Sequence, residues 1–165
     1  MTGAKQDYID YRVKKSGEAY QDALILAQNG RWNACVNRLY YSIFYLNSAL
    51  LYQKNIKAQT HKGVKTQFFL HFVKPGVISK ASGKLYSHLF DWRQETDYGD
   101  FIDFNEETVQ PLLSQVMELL EEIKQLMECS LSISHSGIQK PLCQTVLSPI
   151  ANNSQNPYLS KTNQQ

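Results

Sequence analysis

The segment from Arg31 to Lys54 constrains the fold more than any other. Cys35, Leu39, Ile43, Leu46 and Leu50 recur at three- and four-residue steps, and Val36, Tyr40, Phe44 and Leu51 widen the stripe. Apolar residues at this spacing line one side of an α-helix. A stripe this wide is covered only when several neighbours pack on it, so the segment predicts a central helix. Arg38 and several other polar residues interrupt it, which argues against a membrane span.

Period and punctuation place the other helices around it. Over residues 6–29, Tyr8, Tyr11, Ala19, Ala23, Leu26 and Ala27 form one amphipathic face, and Asn29-Gly30 is a stop signal. Thr60 is a cap for a third helix through about Phe72, which Lys74-Pro75-Gly76 ends. Ser79 caps a fourth, with Leu85, Leu89 and Trp92 on its buried side. Asp97 to Phe104 reads as a loop, because it holds Gly99 and too many Asp for a helix interior. Asn105 caps a fifth helix, where Glu106 and Glu107 face the positive end of the helix dipole and Leu112, Val116, Leu119, Ile123 and Leu126 form the core face. Nothing reads as a strand and no repeat is present. The expectation is an all-α, up-and-down bundle of four to five helices over residues 1–129. Residues 130–165 are rich in Ser, Asn and Gln and carry no acid. They cannot bury enough apolar surface to offset their ordering entropy, so a mostly disordered tail is expected.

The net charge of +2 conceals an asymmetry. From Ala23 to Phe90 there is no Asp or Glu, and nine Lys and Arg give a segment charge of +9. Residues 91–129 hold eleven acids against Arg93 and Lys124, a charge of −9. Either the basic layer packs beside the acidic helix, or it forms a face for nucleic acid, nucleotide or an acidic partner. Cys35, Cys129 and Cys143 are widely spaced with no CxxC pair. Free thiols in a reducing cytoplasm are the simplest reading. His61, His71 and His88 are too scattered for a metal site, there is no phosphate loop or nucleophile elbow, and no cofactor is expected.

Three segments are distinctive: Asn37-Arg38-Leu39-Tyr40-Tyr41-Ser42-Ile43-Phe44, then Thr60-His61-Lys62-Gly63 with His71-Phe72-Val73-Lys74, then Arg93-Gln94-Glu95-Thr96-Asp97-Tyr98-Gly99-Asp100-Phe101. In this order they resemble the HEPN domain family, in its branch of small stand-alone proteins with an R-x-x-x-D-Y-G-D-F ending, from about Ala19 to Leu126. The resemblance implies a helical bundle that forms a homodimer. It implies a minimal nucleotidyltransferase as partner, often within a toxin–antitoxin pair, and nucleotide or RNA as ligand. Catalytic members of the family are metal-independent ribonucleases with an Arg followed, four to six residues on, by a His.

This chain departs from that pattern. Arg93 is followed by Asp97, Tyr98 and Asp100, and His88 precedes it. An Asp near an Arg is ionised at neutral pH and is a poor proton donor. Two functions therefore stay open. One is a binding and interaction module, with Arg38, Tyr41, His61, Lys62 and Arg93 contacting ligand or partner. The other is a ribonuclease built on Arg93, Asp97 and Tyr98. Each residue also has a plainer reading. Arg93 and Arg38 can each pair with Asp97. His61 and Lys62 open the third helix, where they either belong to its cap or hold an anion. Tyr40, Tyr41, Phe44 and Tyr45 read as core more readily than as a stacking platform.

Overall fold

The computed structural model describes residues 2–98 and 103–129, with side chains left undescribed at 2 and 96–98. Five helices follow one another: α1 (Thr2–Gln28), α2 (Trp32–Gln53), α3 (His61–Phe68), α4 (Lys80–Tyr98) and α5 (Glu106–Glu128). A single π turn, Phe69–Val73, extends α3. No strand occurs among the described residues, and none of their helices is long and apolar enough to cross a membrane. The tail at 130–165 lies outside the described residues.

The contacts fix the directions of the helices. Lys5 reaches Gln53 and Asn55, and Ser16 bonds to the Ser42 carbonyl, so α1 and α2 run antiparallel. Arg93 meets Tyr41, whereas Tyr86, earlier in α4, bears on Asn47, later in α2, which makes α4 antiparallel to α2 as well. Asn33 meets Asp103, and Gln53 bonds to the Met127 carbonyl, so α5 runs parallel to α2. The chain is an up-and-down bundle of α1, α2, α4 and α5, with α3 set into the connection between α2 and α4. Leu39, Tyr40, Ile43, Leu46 and Leu50 of α2 are fully buried at its centre.

The punctuation acts as the residues dictate. Gly30 takes a left-handed conformation (φ 64°), its N–H bonds to the Ala27 carbonyl and that of Arg31 to Leu26. This pairing satisfies the last carbonyls of α1. Thr60, Ser79 and Asn105 each accept a backbone N–H three residues on, at 3.0 Å. Asn55 (φ 59°) ends α2 in the same way as Gly30 ends α1, with its own N–H bonded to Tyr52 and that of Ile56 to Leu51.

Four expectations are corrected. Helix α1 begins at Thr2 rather than near residue 6, because Lys5 is anchored on the end of α2 at 3.2 and 2.8 Å. Tyr11 is exposed, and Ile9, Ser16 and Tyr20 are buried in its place. On α4 the buried side is Tyr86, Leu89 and Phe90, a rotation from the expected Leu85, Leu89 and Trp92 that turns two rings onto Tyr40. Helix α4 also continues through Asp97 and Tyr98, which read as loop; residues 99–102 of that expected loop lie outside the described residues.

Candidate functional site

Helix α2 carries Arg38, Tyr40, Tyr41 and Phe44 on the side that faces α3 and α4. The link after α2 doubles back along it, so that α3 starts beside the middle of α2 rather than its end. His61, the first residue of α3, stacks on Phe44 with ring centres 4.1 Å apart. It also stands edge-on to Tyr41 at 5.7 Å. Arg93, on the inward side of α4 one turn beyond Phe90, donates from Nη2 to the Tyr41 hydroxyl at 3.3 Å.

Tyr41 is the hub of this cluster. The Arg38 guanidinium carbon lies 5.2 Å from its ring centre and that of Arg93 lies 5.7 Å away. Cations at this distance are attracted to the negative ring face. The Arg38 Nη2 also donates to Asn37 Oδ1 at 3.1 Å. Beneath the hub is Tyr40, fully buried, with its hydroxyl 2.7 Å from His61 Nδ1. Burial pushes the Tyr40 hydroxyl well above its ordinary pKa, so it keeps its proton. The ring of Tyr86, also fully buried, stacks on Tyr40 at 6.1 Å, and burial raises its pKa as well. Neither the Tyr86 hydroxyl nor the Asn47 amide reaches a partner with hydrogen-bond geometry. Each still bears on its neighbour, Tyr86 favouring the ionised form of Tyr40 and Asn47 that of Tyr86.

Four of the residues expected at a site thus converge: Arg38, Tyr41, His61 and Arg93. Lys62 points elsewhere, into a groove of about 540 Å³ between α3 and α4, which Lys65, Thr66, Phe69, Phe90 and Gln94 also line. Lys65 sits 4.2 Å above the Phe90 ring and 3.5 Å from the Asp91 carboxylate. Asp97 and Tyr98 form the last turn of α4, and their side chains lie outside the described residues. Capping at α3 belongs to Thr60, whereas the His61 ring is turned into the aromatic cluster. Tyr40 and Phe44 are core residues as expected, and Tyr41 and Tyr45 are only half-buried.

Sequence reasoning missed Tyr40, Tyr86 and Asn47 as members of this arrangement. The one available signal was Asn47, an amide inside the widest apolar stripe of the chain. Chemically the cluster offers two permanent positive charges, an imidazole and a half-exposed aromatic ring. That combination suits a phosphate-bearing or planar ligand.

Residues 9–126 match the HEPN domain family. A protein of Thermotoga maritima named "UPF0332 protein" is 37% identical over 124 residues, covering 75% of this chain and 94% of its own length. A protein of Methanocaldococcus jannaschii named "putative toxin" is 32% identical over 93 residues, 56% of this chain and 69% of its own. A second protein of that organism with the same designation is 29% identical over 113 residues, 68% and 75% of the two chains.

Proposed function

The chain belongs to the HEPN domain family, and from that premise we propose that it is a nucleotide-associated interaction module paired with a minimal nucleotidyltransferase in a toxin–antitoxin arrangement. Two relatives named "putative toxin" support the pairing. The observation that carries the reading is the gathering of Arg38, Arg93 and His61 around the half-exposed Tyr41, contributed by three different helices. The module acts in the cytoplasm as a two-fold homodimer, and its basic α3 side, with Lys62, adds to the ligand or partner face. No cofactor or metal enters this function.

The test is co-expression with the minimal nucleotidyltransferase encoded beside it. The two proteins should co-purify, and Arg38→Glu with Arg93→Glu should weaken the complex or its nucleotide binding. Absence of such a neighbour, or a neighbour that never co-purifies, would overturn the pairing.

A second reading is a metal-independent ribonuclease built around Arg93, Asp97 and Tyr98. One observation favours it: an imidazole stands beside the Arg93 platform although none follows Arg93 in the chain. The interaction module predicts intact transfer RNA after incubation with the protein in chelator. Cleavage lost in Arg93→Ala, at an unchanged melting temperature, would establish the ribonuclease instead.

A further inference from the structure

One side of the α1–α2 pair interleaves cations with tyrosine rings along most of its length. On α2 these are Arg38, Tyr41, Tyr45 and Tyr52, at steps of three, four and seven residues that keep them on one face. On α1 they are Lys5, Tyr8 and Arg12, at steps of three and four. The two sets meet. The Tyr8 and Tyr52 ring centres are 4.5 Å apart. The Arg12 guanidinium carbon lies 5.1 Å from the Tyr8 ring centre and 5.5 Å from that of Tyr45, and its Nε donates to the Tyr8 hydroxyl at 3.0 Å. Tyr45 in turn lies 5.8 Å from Tyr41, the ring on which Arg38 rests. At the other end Lys5 Nζ is 5.9 Å from the Tyr52 ring centre. There Lys5, Tyr8, Tyr52, Asn55 and Lys57 line a cavity of about 410 Å³.

These cations rest on rings rather than on carboxylates. None of the ion pairs among the described residues involves Lys5, Arg12 or Arg38. Asp7 and Asp10 of α1 are exposed and stand at least about 100° round the helix from the Lys5, Tyr8 and Arg12 face. Helix α2 and the link after it carry no acid. The positive charge of this side is therefore not cancelled within the bundle. Its rings are also within reach of solvent, Tyr52 being 44% exposed and Tyr8, Tyr41 and Tyr45 half-buried. At about 1.5 Å per residue, Arg38 and Tyr52 stand about 21 Å apart along α2. A mononucleotide covers only part of that length, and a duplex keeps its bases stacked inside. An acidic peptide answers the charge but makes no use of four rings. A single strand supplies both a line of phosphates and unpaired bases.

We infer that this side of α1 and α2 is a tract for single-stranded nucleic acid. Arg12, Arg38 and Lys57 meet the backbone, and Tyr52, at the mouth of the cavity, is the chief platform for a base. Holding Arg12 between two rings orders it ahead of the ligand, which lowers the cost of binding. The tract needs no donor from α3 or α4, and it is separate from the pairing with a nucleotidyltransferase.

The experiment uses the full chain and fluorescence anisotropy across a salt series. The probes are a short oligouridine and an oligothymidine of equal length, with a duplex and polyglutamate as competitors. Both strands carry the recognised chemistry; tighter binding of oligouridine identifies RNA as the source and equal binding identifies any single strand, and either supports the proposal. Tyr52→Leu should lose about tenfold in affinity, the scale of one stacked base, and Tyr52→Phe should restore it. Lys57 is exposed, so Lys57→Gln reads charge without disturbing the fold. It should weaken binding and make the slope of log affinity against log salt shallower by about 0.7, the share of one phosphate on a single strand. Arg12→Gln should do the same, with its melting temperature measured alongside.

Failure of either strand to bind at low salt would overturn the inference. So would a duplex that competes as well as a single strand, or Tyr52→Leu and Lys57→Gln that both match wild type. Polyglutamate that competes fully, with Tyr52→Leu unaffected, would identify an acidic protein as the occupant and overturn it too. Co-purification with a nucleotidyltransferase is read in a different assay, so the two readings fail separately.

Discussion

Asn47 sits at zero exposure in the middle of α2, with neither amide atom in hydrogen-bond geometry. An orphaned buried amide costs about 1–3 kcal/mol, whereas an apolar side chain of similar size costs little there. Asn47→Leu should therefore stabilise the fold by about 1 kcal/mol, read as a higher urea midpoint at unchanged slope. A fall in the midpoint would show that the amide supports the core after all. Cys35 is the second residue with a clear signature, since burial pushes its thiol up to about 11. Tyr20 and Tyr40 shift the same way for the same reason. The folded chain holds these protons at a pH where the unfolded chain releases them. Stability is then complete below about pH 9 and falls as pH rises from there toward 11 and beyond. Urea midpoints between pH 8 and 11 check the sign, and Cys35→Val should fall less steeply than wild type. Among the site residues, Arg38, Tyr41, His61 and Arg93 were legible as candidates from residue type and position. Their meeting at Tyr41 was not, because it depends on where the link after α2 returns the chain.

Among the elements, the π turn and α4 meet closely at a glycine. A Cβ built on Gly83 of α4 would lie 2.8 Å from Val73 Cγ1, at the end of the π turn. Gly83→Ala gains helix propensity worth about 1 kcal/mol but forces Val73 aside, and overpacking costs about 1–3 kcal/mol. The melting temperature should fall. Gly17, in the exposed face of α1, has nothing within 4 Å of such a Cβ. Gly17→Ala should instead raise stability by about 0.5–1 kcal/mol. The two variants in thermal unfolding form one internal control, and a rise in both would dismiss the steric account. Helix positions and caps were readable in the chain, since Thr60, Ser79, Asn105 and Gly30 act through local chemistry alone. The π turn was not readable. Its Lys74 N–H bonds to the Phe69 carbonyl at 2.8 Å, one residue farther back than an α turn allows. That register follows from seating Phe72 and Val73 in the core, a demand set by α4. The rotated face of α4 has the same origin, for Leu85, Tyr86, Leu89, Phe90 and Trp92 offer two overlapping stripes, and the rings on α2 select between them.

Across the whole molecule, the buried core runs from Ile9 to Met127. A chain ending at Cys129 should melt cooperatively at nearly the temperature of the full chain; a large drop would mean that residues beyond 129 pack on the bundle. The two charged halves of the sequence meet in an ion pair between α3 and α4. Helix α3, which carries Lys62 and Lys65, packs on α2, and its ion pair among the described residues goes to Asp91 of α4 rather than to the acids of α5. The bundle class was legible from helical period and short connections. The pairing of α5 with α2 in parallel was not, because sequence period carries no direction. That parallel pairing has a consequence for synthesis. Helix α2 leaves the ribosome early, yet the helix that covers its far side is the last of the bundle to be made. At ordinary rates of elongation, a delay on the order of seconds separates completion of α4 from completion of α5. Through that interval the nascent chain carries the ring cluster beside a bare apolar groove, so its exposure to chaperones and to wrong partners is set by vectorial timing rather than by the equilibrium strength of the finished core.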